Sequence, residues 1–212
     1  LTEDTIDVLQ FEIVTPDGEF RIANAYQNED LFWALRGGGP GFGVVTKVTY
    51  KTHPAITQMV WLNVTINYTP QSYPNLMRTY LSLQPMLSAQ NFSGYTYPVK
   101  DKDSTTNTNT WWSIWVVPNS ADIAGSNSAI KPIFDLVQSE TNAGRPMSIS
   151  NQSAVLPSYL AMWPDNPKTA KENTAINQIL GSRLLPVSAF EGNLDAFVDL
   201  LNTTDVTPMF LH

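Results

Sequence analysis

The 212 residues contain no cysteine, which excludes disulfides, thiolate metal centres and cysteine nucleophiles. There are only two histidines, His53 and His212, too few for a histidine metal cluster, so no metal site is expected. Charge is scarce as well: 15% of residues are Asp, Glu, Lys or Arg, well below the usual quarter. Twelve basic against nineteen acidic residues leave a net charge of −7. No Lys/Arg cluster offsets it, so the chain repels phosphate backbones and no nucleic-acid partner is expected. No apolar run approaches the ~18 residues of a membrane span. What is present suffices for a core, since 42% of residues are apolar and 11% aromatic, which excludes disordered and collagen-like classes.

The ends carry their own expectation. The chain opens on Leu1 with neither a basic leader nor an apolar signal segment, and stops at Met209-Phe210-Leu211-His212, which reads as a strand cut short. An internal piece of a larger protein is expected, completed by missing N- and C-terminal segments of the same chain.

Residues 8–14, VLQFEIV, read as a strand. Thr15-Pro16-Asp17-Gly18 suits a type I turn, with 19–25 as the return strand of a hairpin. Asn28 is placed to cap a short helix whose first turn carries Glu29 and Asp30 and whose apolar residues are Leu31, Phe32, Trp33 and Leu35. Arg36 and Gly37 end it. Residues 44–52 alternate as another strand, and His53-Pro54 closes the section.

Beyond Ala55 the periodicity predicts strands over 58–66, 94–100 and 110–117, and helices over 73–88 and 128–140. Residues 141–180 read as loop with one short helix near 168–180. Ser188 and Glu191 form a capping box for a third helix with Leu194, Phe197, Val198 and Leu201 inward. A sheet with helices on one face is the economical architecture for 55–212.

Five of the eleven glycines fall between Gly37 and Gly43, in RGGGPGFGVVT. Glycine permits positive φ and lets a ligand approach the main chain, and successive bare N–H groups can cradle an anionic or heteroaromatic group. The run lacks Gly-Lys-Ser/Thr, so it is no nucleotide-hydrolase phosphate loop. It also lacks the G-x-G-x-x-G register, and a strand follows it, so it is no Rossmann fingerprint. A plain connector between helix and strand is the alternative.

The flanks bear on that choice. A hairpin with Pro16-Asp17-Gly18, then EDLFWALRGGG, then FGVVT, occur in that order within residues 8–54. This stretch resembles the flavin-binding domain of the vanillyl-alcohol-oxidase superfamily, most closely the berberine-bridge-enzyme-like branch found among fungal secreted oxidases. GSRLLP at 181–186 resembles a patch in the substrate domain of the same branch. The resemblance implies an α+β fold: residues 1–54 as the end of a PCMH-type FAD-binding domain, and 55–212 as an incomplete substrate domain, an antiparallel sheet covered by helices. It implies FAD as cofactor and oxidation of an alcohol, sugar or similar small molecule by hydride transfer to flavin, with oxygen as acceptor. It assigns cofactor contacts to Gly38, Gly39, Gly41, Phe42, Gly43, Val44 and Val45. Pro40 departs from the family's uninterrupted glycines and removes one N–H donor. The diphosphate loop and flavin-attaching residues of the family would precede Leu1, and its catalytic base would often follow His212. No catalytic residue is assigned within the chain, which alone is expected to be inactive.

Aromatic faces stack on sugars and phenolics, and the family's sheet lies over the flavin ring. Tyr95, Tyr97, Trp111 and Trp115 are therefore candidates for a substrate floor, with ordinary core packing as the alternative. Asn-x-Ser/Thr sequons at Asn63, Asn67, Asn91, Asn151 and Asn202 lean toward a secreted glycoprotein. Two rival readings stand beside the oxidoreductase: a secreted carbohydrate-binding module using its tryptophans, and a truncated piece without independent activity.

Overall fold

The computed structural model describes residues 7–38, 41–99, 108–162, 184–186, 188–204 and 208–211. The chain divides into two compact units, Leu1–Ala55 and Ile56–His212.

The first unit is a three-stranded antiparallel sheet of order β2-β1-β3, built from β1 (Val8–Val14), β2 (Phe20–Asn24) and β3 (Val44–Tyr50), with helix α1 (Glu29–Leu35). The hairpin turn closes as its sequence suggests: Gly18 takes φ 83° and its N–H donates to the Thr15 carbonyl at 2.9 Å. Asp17 accepts from Thr15 Oγ1, Arg21 and the Glu19 N–H. These bonds, led by that from Thr15, hold its carboxyl down to about 2. The helix start differs from expectation. Asn28 sits in the left-handed region at φ 50° and makes no side-chain cap; its Nδ2 instead donates to the Ile22 carbonyl at 2.8 Å, tying the helix entrance to β2. The core is small, consisting of Val8, Phe11, Ala23 and Phe32 with Leu31, Leu35 and Val48 against them. Phe11 and Phe32 meet edge-on at 6.0 Å. His53 Nε2 lies 2.8 Å from Asp7 Oδ2, which accounts for it as a boundary residue.

The second unit is a five-stranded antiparallel sheet of order β7-β4-β6-β5-β8, formed by β4 (Met59–Tyr68), β5 (Ser93–Val99), β6 (Asn109–Pro118), β7 (Ser148–Leu156) and β8 (Phe210–Leu211). Helices α2 (Tyr73–Ala89), α4 (Lys131–Asn142) and α6 (Leu194–Thr203) bury one face. On that face Leu62, Val64, Ile66, Trp111 and Trp115 from the sheet meet Leu76, Met77, Tyr80, Ile133, Val137, Val198 and Leu201 from the helices. Among the described residues no helix is long and apolar enough to cross a membrane. The antiparallel sheet covered by helices is the architecture the sequence led us to expect.

Three local readings are corrected. The helix expected over 128–140 is two: α3 (Ile123–Ala129), capped by Asp122, whose carboxylate accepts from the Gly125 N–H at 2.8 Å, and α4. Pro132 cannot donate to a continuing ladder, so the break falls at Ile130. Residues 148–156, read as loop, form the edge strand β7, pairing with β4 from Ser148↔Asn67 to Leu156↔Met59. Its Ser, Asn and Gln positions hid it, and an edge strand needs little apolar burial. Ser188 makes no side-chain cap, and the helix splits into α5 (Ala189–Gly192) and α6. The inner face of α6 does carry Val198 and Leu201, with Leu194 and Phe197 partly buried. The expected helix near 168–180 lies outside the described residues.

A buried carboxylate ties the helices together. Glu140 on α4 is 3% exposed and receives Arg145 through two bonds of 2.7 and 2.8 Å and Asn75 of α2 at 3.0 Å. Arg78 of α2 in turn donates to Asn75 at 3.2 Å and to Asp195 of α6 at 2.7 Å. Hydrogen bonds from Arg145 hold the Glu140 carboxyl below its usual 4.5 despite burial. A carboxyl lowered in this way contributes stability above its unfolded value near 4.5, and loses it as pH falls through the lower folded value. Glu140→Ala removes the acceptor shared by Asn75 and Arg145; because Arg145 is 40% exposed and solvent can meet it, the expected cost is about 1–2 kcal/mol at neutral pH. The variant should be closer to the parent below pH 4.5, as measured by urea unfolding across pH.

Candidate functional site

The glycine run separates into residues required by the fold and residues that are not. The Gly38 N–H donates to the Ala34 carbonyl at 2.7 Å, ending α1, and a Cβ there would stand 2.5 Å from the Phe42 ring. Gly43, at φ 148°, lies so close to β1 that a Cβ would reach the Val14 carbonyl oxygen at 2.3 Å. Both glycines are accounted for by local packing. Gly41 is different: it is exposed, and a Cβ there meets nothing within 4 Å. Gly39 lies outside the described residues. Beyond the run, Phe42, Val44 and Val45 are exposed by 36%, 69% and 39%, although β-branched residues on a paired strand ordinarily find cover. Val44 and Val45 pair with Val14 and Ile13 of β1, so their backbone is fixed while their side chains are presented.

Arg36, immediately before the run, is held by its guanidinium 4.5 Å over the Phe32 ring. Its Nε is buried and has no hydrogen-bond partner among the described residues. Leaving a cationic donor unmet is costly, and a planar or anionic group could satisfy it. Among the described residues, the open side of Gly41, the presented apolar residues after it and the Arg36 Nε before it are the features of this segment that a planar or anionic ligand could use.

In the second unit the pleat sorts the aromatic candidates. Trp111 and Trp115 are fully buried on the helix side of β6. Tyr80 of α2 meets Trp111 edge-on at 4.7 Å, and Ser113 accepts the Trp111 indole N–H at 2.7 Å. Packing explains these two tryptophans, and they are not available to stack on a ligand. Tyr95 and Tyr97 point from the other face, and the tryptophan that shares it is Trp112. Tyr95 and Tyr97 rings lie 6.4 Å apart at 15°, and Tyr97 and Trp112 5.5 Å apart at 27°. Tyr95 is 46% and Trp112 37% exposed. Burial, with Tyr95 adding to it, raises the Tyr97 phenol above its usual 10, so at neutral pH it is a donor and a poor base.

Sequence reasoning missed Trp112, Trp61 and Asn63 as members of this face. The signal was the parity of β6: if Trp111 and Trp115 are core, the residue between them in alternation is not. The face also carries Thr65 and Asn67 of β4, Thr110 of β6 and Ser148, Ser150 and Gln152 of β7, by register with Trp112, Ile114 and one another. The described strand residues on it bear no charge, which leaves an aromatic row beside a row of amides and hydroxyls.

The comparisons agree with this architecture. An uncharacterized FAD-linked oxidoreductase of Arthroderma benhamiae is 31% identical across 98% of this chain, which spans 36% of that relative's length. An FAD-linked oxidoreductase of Malbranchea aurantiaca is 71% identical over 45 residues, 21% of this chain and 8% of its own length. The crystal structure of a VAO-type flavoprotein from Myceliophthora thermophila C1 superposes with a TM-score of 0.56 at 23% identity, covering 74% of this chain and 28% of that one. No family model matches the chain. Fold and sequence kinship together define a flavoprotein-type α+β protein. In sequence the chain is similar to the fungal FAD-linked oxidoreductases, a family of enzymes, and in fold to the VAO-type flavoproteins.

Replacing a tryptophan on each side of β6 tests the sorting. Trp111→Ala should cost about 3–5 kcal/mol through lost burial and a cavity, whereas Trp112→Ala should cost about 1 kcal/mol; urea denaturation measures both. Equal losses would mean that the two faces are not distinguished as described.

Proposed function

We propose that the chain is part of an FAD-dependent oxidoreductase that oxidises an alcohol, sugar or similar small molecule by hydride transfer, with oxygen as acceptor. Residues 1–54 are its contribution to the PCMH-type flavin domain and 55–212 its contribution to the substrate domain. In this reading the main chain around Gly41, with Gly38, Gly39, Gly43 and the presented Phe42, Val44 and Val45, lies along the adenine and diphosphate side of FAD. Bound FAD supplies the hydride acceptor; the residues of this chain bind and orient. Tyr95, Tyr97 and Trp112 give the substrate an apolar surface, and Asn63, Thr65 and neighbouring hydroxyls give it hydrogen-bond partners. The observation that carries the reading is Gly41, exposed and without a described neighbour that requires glycine, in a run where Gly38 and Gly43 do have local reasons.

The carbohydrate-binding alternative draws on the same aromatic face but gives no account of the glycine run. A solved chitooligosaccharide oxidase shares the fold, with a TM-score of 0.52 at 15% identity over 93% of this chain and 39% of that one. The fold thus supports both a saccharide ligand and a redox enzyme. Secretion and glycosylation belong to the proposal too, on the strength of the sequons.

Two glycine variants, made in the longer protein that carries this chain, separate cofactor contact from folding. Gly41→Val should keep the circular dichroism and unfolding midpoint while losing the flavin absorption band on purification. Gly43→Val should lose both, because the new side chain strikes the Val14 carbonyl. A Gly41→Val protein that purifies with its full flavin complement would return the run to a connector.

A further inference from the structure

Asn63 begins one of the five sequons, Asn63-Val64-Thr65, which invites a glycan at this position. The structure gives its amide another task. Asn63 stands on β4 facing the aromatic row, and its Oδ1 accepts the Trp112 indole N–H at 2.9 Å. That bond crosses from β4 to β6, where Asn63 pairs with Ile114 and Thr65 with Trp112. Asn63 therefore lies diagonal to the indole, within reach of a long side chain. The Trp112 ring is held on its other flank by Tyr97 at 5.5 Å and 27°. An indole stacked on one side only could turn about its χ angles; one acceptor at the opposite edge fixes both its plane and the direction of its N–H. Among the described residues the other polar contacts on the face do not reach Trp112: Asn67 donates to Ser148 and accepts from Thr110, each at 3.3 Å.

We infer that Asn63 is a positioning residue that locks the Trp112 indole in line with Tyr97 and Tyr95, and that it carries no glycan. This deepens the proposed function, since it rests on the reading of the outer sheet face as the substrate floor. A glycan on the Asn63 nitrogen would cover the aromatic row it organises. By contrast Asn91 follows α2 in an exposed turn at φ 59°, where a glycan meets no such row.

The substitutions Asn63→Asp and Asn63→Leu both destroy the sequon, but only aspartate keeps an acceptor for the indole. In protein labelled with 15N at tryptophan, the resonance lost in Trp112→Phe identifies the Trp112 indole N–H. Its hydrogen exchange should be slow in the parent and in Asn63→Asp, and about tenfold faster in Asn63→Leu, as the loss of one ordinary hydrogen bond requires. Equal exchange in all three, or an Asn63→Asp protein that behaves like Asn63→Leu, overturns the assignment. So does a glycopeptide containing Asn63 from protein secreted by yeast. Quenching of tryptophan emission by xylobiose and by 4-hydroxybenzyl alcohol reads the floor separately. Saturable quenching that Trp112→Phe removes, and Asn63→Leu weakens several-fold, supports both claims. Quenching by neither probe in the parent sinks the floor while the exchange result still decides the role of Asn63.

Discussion

The period of two along β6 is the constraint on which the second unit depends. The strand lies between β4 and β5, so neither of its faces can be left without a role. Trp111, Ser113 and Trp115 go to the helix side, where two tryptophans need a deep core. Trp112 and Ile114 go to the other. A slip of one residue would expose two buried indoles and bury Trp112 in their place. Thr96 and Ser113 hydroxyls 2.9 Å apart within the sheet, with the Trp111 indole donating to Ser113, make that slip costlier, because each polar atom would lose its partner in a dry environment.

From that parity the two faces acquire different chemistry. The covered face combines aliphatic side chains with hydrogen-bonded aromatics. Burial pushes the phenols of Tyr68 and Tyr80 well above their usual range and that of Tyr73 to about 12, so they remain neutral within it. The other face keeps ring surfaces beside uncharged amides and hydroxyls. The Glu140 network holds α2, α4 and α6 in place over the covered side and contributes no group to the other.

In the first unit a small core supports a presented surface. Four buried residues organise a sheet whose β3 is exposed along most of its length. Glycines on either side of Gly41 serve the fold, Gly38 by turning out of α1 and Gly43 by approaching β1 more closely than any side chain allows. Gly41 has no such local duty among the described residues, and five positions before it stands Arg36, whose Nε has no partner among them.

The sequence by itself determined what depends on neighbours in the chain: the Pro16-Asp17-Gly18 turn, the end of α1, the amphipathic faces of α2 and α6, the alternation of β6 and the concentration of glycines. It also carried the family kinship, which lies in the order of those local features. It did not reveal β7, whose polar residues are tolerated at a sheet edge, nor the break at Ile130. At Asn28 a tertiary bond to Ile22 displaced the local cap. Only the tertiary structure decided which side of β6 faces the helices, and hence that Trp112 rather than Trp111 or Trp115 joins Tyr95 and Tyr97. Alternation assigns residues to two faces, but which of them is buried depends on helices joined to the sheet by packing rather than by adjacency in the chain. The bond from Trp112 to Asn63 spans 49 positions, and no local pattern encodes a contact made by strand pairing at that distance.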